Sequence, residues 1–155
     1  MEFSRTPLYP SSFLQEKSKM STRGCIARLT SANPIKFKGV YHHWDSDPPS
    51  LGKHLWNRIW NYGLRSALEY IIDEHPAGWS SLQEDKCYCH RDRKSPPFEV
   101  NEENFANMMI EWVYAFDKNT MYIMIPETRG QTIVAKVKIL GPEPDWKEIA
   151  AKGEI

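Results

Sequence analysis

At 155 residues the chain has the size of one ordinary domain, and its 41% hydrophobic and 12% aromatic content speaks against a disordered polymer. Twenty basic and twenty acidic side chains leave zero formal charge, so the broad positive footprint of a nucleic-acid or anionic-membrane binder is absent and only a local basic patch remains open. Three cysteines, Cys25, Cys87 and Cys89, form an odd set. A bridge between positions 87 and 89 would close an awkwardly tight ring, and no apolar run is long enough for a signal-peptide core or a membrane span. These features predict a soluble, cytoplasmic protein with no membrane partner.

The first nineteen residues mix Pro7, Pro10, Ser11 and Ser12 with scattered charges and show no sustained period, which predicts a flexible extension ahead of a body starting near Met20. "TRGCIARLT" and "IKFKGVYHHWD" alternate as β-strands do, and the "SANP" between them has turn chemistry, so a β-hairpin is expected. In its second strand Phe37, Gly39, Tyr41, His43 and Asp45 share one face, while Val40, His42 and Trp44 share the other. Pro48 and Pro49 suit a helix entrance, capped by Asp47 or Ser50.

Two apolar stripes follow at helical spacing, Leu51, Leu55, Trp56, Ile59 and Trp60, then Leu64, Ala67, Leu68, Ile71 and Ile72. Their different azimuths and Gly63 between them predict two helices or one sharply bent helix, ending before Pro76. Residues 76–100 carry many charges, glycine and prolines without a clear apolar period, and read as a long loop. "NEENFANMM" offers Asn101 as a cap for a short helix. "IEWVYAF", "DKNT" and "MYIMI" make a second hairpin, "QTIVAKVKIL" a further strand, and residues 142–155 a tail or short helix. The whole predicts a single α+β domain over residues 20–141, an antiparallel sheet of about five strands with two or three helices packed on one face.

From Met20, "MSTRGCIARL" followed by "GVYHHWDSDPPSLG" resembles a family of small phage and bacterial proteins that start M-S/G-T-R-G and carry the motif Y-x-H-W-D-G-Y-P-x-x-x-G. The matching positions are Thr22, Arg23, Gly24, Tyr41, His43, Trp44, Asp45, Pro48 and Gly52, with Ser46 standing where the pattern has glycine and Asp47 where it has tyrosine. The resemblance covers about the first third of the folded body. It implies a phage or mobile-element origin, brings no activity with it, and directs interest to His43, Trp44 and Asp45 instead of His42.

Several chemistries compete for these residues. Cys87, Cys89 and His90 offer soft ligands for zinc, completed by His43 or His75, although Cys-x-Cys-His is poorly spaced for a tetrahedral site and a polar loop with incidental cysteines is the plainer reading. His43 and Asp45, on one strand face, are the candidate catalytic pair of a metal-assisted hydrolase, with Cys25 or Ser46 as the nearest nucleophiles; the plainer reading has Asp45 bonding turn amides and His43 filling a half-buried polar position. An amino-terminal Ser21 would act as a nucleophile only if translation or cleavage exposed it. Lys86, Arg91, Arg93 and Lys94 beside Tyr88 supply the pattern of a nucleic-acid-binding loop, zinc-stabilised or not, over residues 86–94. Among the tryptophans, Trp44, Trp56, Trp60 and Trp112 lie in apolar stripes and are expected in the core, leaving Trp79 as the exposed anchor for a protein partner. The favoured reading is an accessory protein that binds a protein partner through the long loop and the end of the second strand, using Arg23, Tyr41, Trp44, Trp79, Arg91 and Arg93.

Overall fold

A computed structural model describes residues 22–89, 95–127 and 130–153. The predicted first hairpin is present as β1 (Gly24–Ala32) and β2 (Ile35–His42), paired antiparallel from Gly24↔His42 to Ala32↔Ile35. A π-helical turn at Pro48–Gly52 leads into α1 (Lys53–Tyr62). The chain turns at Gly63, whose φ of +87° favours a residue without Cβ, and continues as α2 (Leu64–Leu68) and a second π-helical turn, Glu69–Asp73. The predicted division at Gly63 is therefore present. The expected side-chain cap is not, because Asp47 receives the Ser50 and Leu51 amides on its backbone carbonyl.

The segment expected to be one long loop contributes three short strands, β3 (Trp79–Ser81), β4 (Lys86–Cys87) and β5 (Val100–Asn101). Strands of two or three residues are too short to show a period, which is why they read as loop. Residues 102–109 form successive turns in place of the expected helix, with Asn101 Oδ1 accepting the Glu103 and Asn104 amides. The second hairpin is β6 (Trp112–Phe116) and β7 (Thr120–Glu127), followed by β8 (Gly130–Lys138). The terminal segment forms α3 (Trp146–Gly153), capped by Asp145 Oδ1 on the Lys147 and Glu148 amides.

The strands form one open eight-stranded sheet in the order β4-β3-β2-β1-β6-β7-β8, with β5 alongside β2. It is mixed, not antiparallel: β1 pairs β6 in parallel, and β2 meets β3 in parallel at His42↔Trp79. Five strands therefore become eight, and local hairpins do not dictate how the two ends of the chain dock. The three helices pack on one face, as expected, but the other face is covered too. Ile26, Leu55, Ile59, Ile71, Tyr114 and Phe116 form the core under the helices, whereas Cys25, Ala27, Phe37, Phe105, Val113 and Met124 form a second core under the 100–111 segment. Covering both faces makes all five residues of β6 buried, which explains its unbroken apolar run. Among the described residues, no helix is long and apolar enough to cross a membrane.

Candidate functional site at the end of the second strand

The two adjacent histidines point to opposite sides of the sheet, as strand alternation predicts, and meet opposite environments. His42 has no exposed surface. The Leu82 amide donates to its Nε2 at 3.0 Å, which fixes the ring proton on Nδ1; that nitrogen donates to Ser46 Oγ at 2.8 Å, and the Ser46 hydroxyl donates to the His42 carbonyl at 3.3 Å. Charging the ring would turn Nε2 toward donation to Gln83 Oε1, 3.1 Å away, and forfeit the Leu82 bond. Burial pushes the His42 pKa down to about 3, against a smaller opposing effect of Gln83. The same knot holds the turn that follows, with the Ser46 amide donating to the Thr22 carbonyl and its own carbonyl accepting the Tyr114 hydroxyl at 2.6 Å.

His43 is half-buried on the other side. With its ring and the Tyr41 phenol both neutral, Tyr41 Oη donates to His43 Nδ1 at 2.6 Å, leaving Nε2–H as the ring's remaining donor. Partial burial, then the nearby Arg23 charge, lowers the His43 pKa; burial raises that of Tyr41, with the Arg23 guanidinium beside the phenol opposing the rise. The His43 ring meets Trp44 edge-on at a centroid distance of 4.4 Å, and Trp44 is 38% exposed. Arg23 Nη1 reaches Met109 Sδ at 3.7 Å, and the Arg23 carbonyl accepts the Glu111 amide, which pins this residue to the start of β6. Burial raises the Glu111 pKa, with Arg23 opposing. Arg23, Tyr41, His43, Trp44 and Met109 thus form one surface.

The stem of the 76–100 segment borders it. Gly78 sits at φ +93°, and a Cβ there would lie 2.7 Å from the Tyr41 carbonyl oxygen, so glycine lets this segment run hard against β2. Tyr88 lies close enough to Tyr41 to influence its ionisation. Two residues on the rim, Asp45 at φ +53° and Met109 at φ +61°, adopt the left-handed backbone that side chains disfavour.

The expected sites divide on these contacts. Arg23, Tyr41, His43 and Trp44 come together. Asp45 is exposed at the turn, where its carbonyl accepts Gln83 Nε2, and the bond that orients the His43 ring comes from Tyr41. The shared face expected for His43 and Asp45 fails because β2 ends at His42 and the backbone turns at Asp45. Ser46 bonds His42, not His43, and is fully buried; Cys25 is also fully buried, and burial pushes its thiol far above the usual range, the reverse of activation.

Trp79 is a correction: it is fully buried, donates Nε1–H to the Ile71 carbonyl at 3.0 Å and packs its ring 4.4 Å from that of His75. Its pairing with His42 carries it into the sheet. Conversely, Trp44 and Trp60, expected in the core, are 38% and 55% exposed. Cys87 is buried in the helical-side core, and Cys89 Sγ accepts the Ala77 amide at 3.2 Å. Among the described residues, no group of three His, Cys, Asp or Glu side chains is arranged to hold a metal. His90, Arg91, Arg93 and Lys94, together with Ser21, lie outside the described residues. Met109, Glu111 and Tyr88 were not singled out from the sequence as members of this surface, because their proximity to Arg23 or Tyr41 arises only from the sheet pairing. Comparison with family models, with curated proteins and with solved structures finds no match to this chain.

Proposed function

We propose that this protein is a cytoplasmic accessory protein of phage or mobile-element origin that acts by binding a protein partner through the surface made by Arg23, Tyr41, His43, Trp44 and Met109. The observation that carries the reading is the composition and fixing of that surface. An exposed tryptophan lies against His43 and a 67%-exposed methionine against Arg23, and the Tyr41–His43 bond and the His43–Trp44 ring contact hold the aromatic members in place. Arginine, tryptophan, tyrosine and methionine are the side chains enriched at protein interfaces, and anchors already ordered lose less entropy on binding. The left-handed backbone at Met109 fits the same reading, since strain held at an exposed side chain is a cost the fold does not need for packing. Three free cysteines suit a reducing compartment, and the resemblance across residues 20–52 supports the origin.

The test is photocrosslinking in the native host cell from p-benzoylphenylalanine placed at position 44, compared with the same group at position 61, outside the cluster. The expected result is a discrete protein adduct from position 44 alone, lost when Arg23→Glu is added. Equal labelling from both positions, or an adduct with nucleic acid, would overturn the proposal.

A further inference from the structure

A second site lies at the other end of the first hairpin, on the helical side of the sheet. Beyond the π-helical turn at Glu69–Asp73 the helices no longer cover β1 and β2, and a cleft of about 490 Å³ remains. Its floor includes Gly39 and Val40, and Ile72, Pro76, Pro97 and Phe98 form its walls. That volume is within the range of small-molecule sites, and the walls are mostly apolar, as such sites require.

The walls are tied together before any ligand arrives. The Phe98 amide donates to the Pro76 carbonyl at 3.0 Å, and Asn104 Nδ2 donates to the Glu99 carbonyl at 3.0 Å. At the rim, Arg28 is held by both oxygens of Asp73 at 2.8 and 2.9 Å, which leaves its charge matched. Lys38 has no such partner: it lines the cleft, and among the described residues it makes no ion pair. Glu99, the one acidic residue of the lining, has Oε1 within 3.4 Å of Asn101 Nδ2, which donates to it. The Phe98 side chain, 51% exposed, presents an aromatic surface at the mouth.

We infer that this cleft binds a small aromatic carboxylate, its ring seated among Phe98, Ile72 and the prolines and its carboxylate on Lys38. An exposed ammonium beside an apolar, preformed wall favours a ligand with an apolar body and a single negative charge. A neutral ligand forgoes the charge-assisted bond to Lys38, and a cationic one meets that side chain's like charge.

The experiment uses the full chain, labelled with nitrogen-15, titrated separately with 3-phenylpropionate, 3-phenylpropanol and phenethylamine while the amide signals of Gly39, Val40, Phe98 and Glu99 are followed. Saturable shifts are expected with 3-phenylpropionate, with about tenfold weaker binding of the alcohol and the amine. Lys38→Gln should erase the preference for the acid over the alcohol, and Phe98→Ala should weaken all three, each with an otherwise unchanged spectrum. Absence of saturable shifts with the acid, an amine that binds as well as the acid, or shifts centred on Trp44 or Trp60 instead would each overturn the inference.

Discussion

Two neighbouring histidines separate the structural half of this protein's motif from its outward half. His42 faces the helical side, spends both ring nitrogens on Leu82 and Ser46 and has no exposed surface; His43, one residue on, is held by Tyr41 and borders solvent with Trp44 and Arg23. The residues on which the resemblance to a phage and bacterial pattern rests divide the same way. Thr22, through its carbonyl, anchors the Ser46 turn, and Pro48 and Gly52 are buried in the turn that starts the helical block. Arg23, Tyr41, His43 and Trp44 instead form a surface. A motif read as one unit therefore contains two tasks, and period-two alternation assigns neighbours to different ones.

The largest expected effect falls on the buried side. Because the folded state holds His42 far below its ordinary value of 6.5, to about 3, the unfolded chain takes up the proton first as pH falls. The stabilisation is fully present above pH 6.5 and is lost toward pH 3, reaching about 5 kcal/mol in the limit. NMR titration of the ring carbons should show His42 still neutral at about pH 5. A His42 ring that titrates near its ordinary value would erase the distinction between the two histidines.

Substitution should sharpen the same contrast. His42→Ala leaves a cavity and strips partners from the Leu82 amide and Ser46, and should cost about 3 kcal/mol in urea unfolding; His43→Ala should cost less than about 1 kcal/mol. Similar costs at the two positions would mean that His43 is as structural as its neighbour.

On the outward side the expected loss is in binding. Trp44→Ala should leave the unfolding midpoint almost unchanged and weaken the partner by about 2 kcal/mol, read as a roughly thirtyfold rise in Kd once the crosslinked partner is purified. A lowered midpoint with Kd unchanged would return Trp44 to the fold. The smallest effect should come from Met109→Gly. It removes an exposed side chain from a left-handed backbone and should stabilise the protein by up to about 1 kcal/mol while weakening partner binding. A mutant that gains no stability would show that the Met109 conformation carries no strain.

Much of this was legible from residue order. Both long hairpins, the break at Gly63 and the opposed directions of His42 and His43 follow from local period and turn chemistry. The tryptophans depart from their expected places for a physical reason: a stripe marks which residues share a helix face, not how far the neighbouring layer extends. Trp60 lies on the stripe of Leu55 and Ile59 but is 55% exposed, stacked on Trp56. Trp79 has no period around it, yet one backbone pairing with His42 draws it into the core.

What the sequence by itself determined is therefore local: which segments are the long strands, where the helical block breaks, and which of two adjacent side chains faces which way, all consequences of repeat lengths of 2 and 3.6 residues. Only the tertiary structure decided that β1 docks in parallel against β6 and that Met109 and Glu111 come to lie beside Arg23, more than eighty residues earlier. That pairing is set by burial on both faces of the sheet at once. Such a condition links distant segments through area removed from water and leaves no spacing in the chain to read.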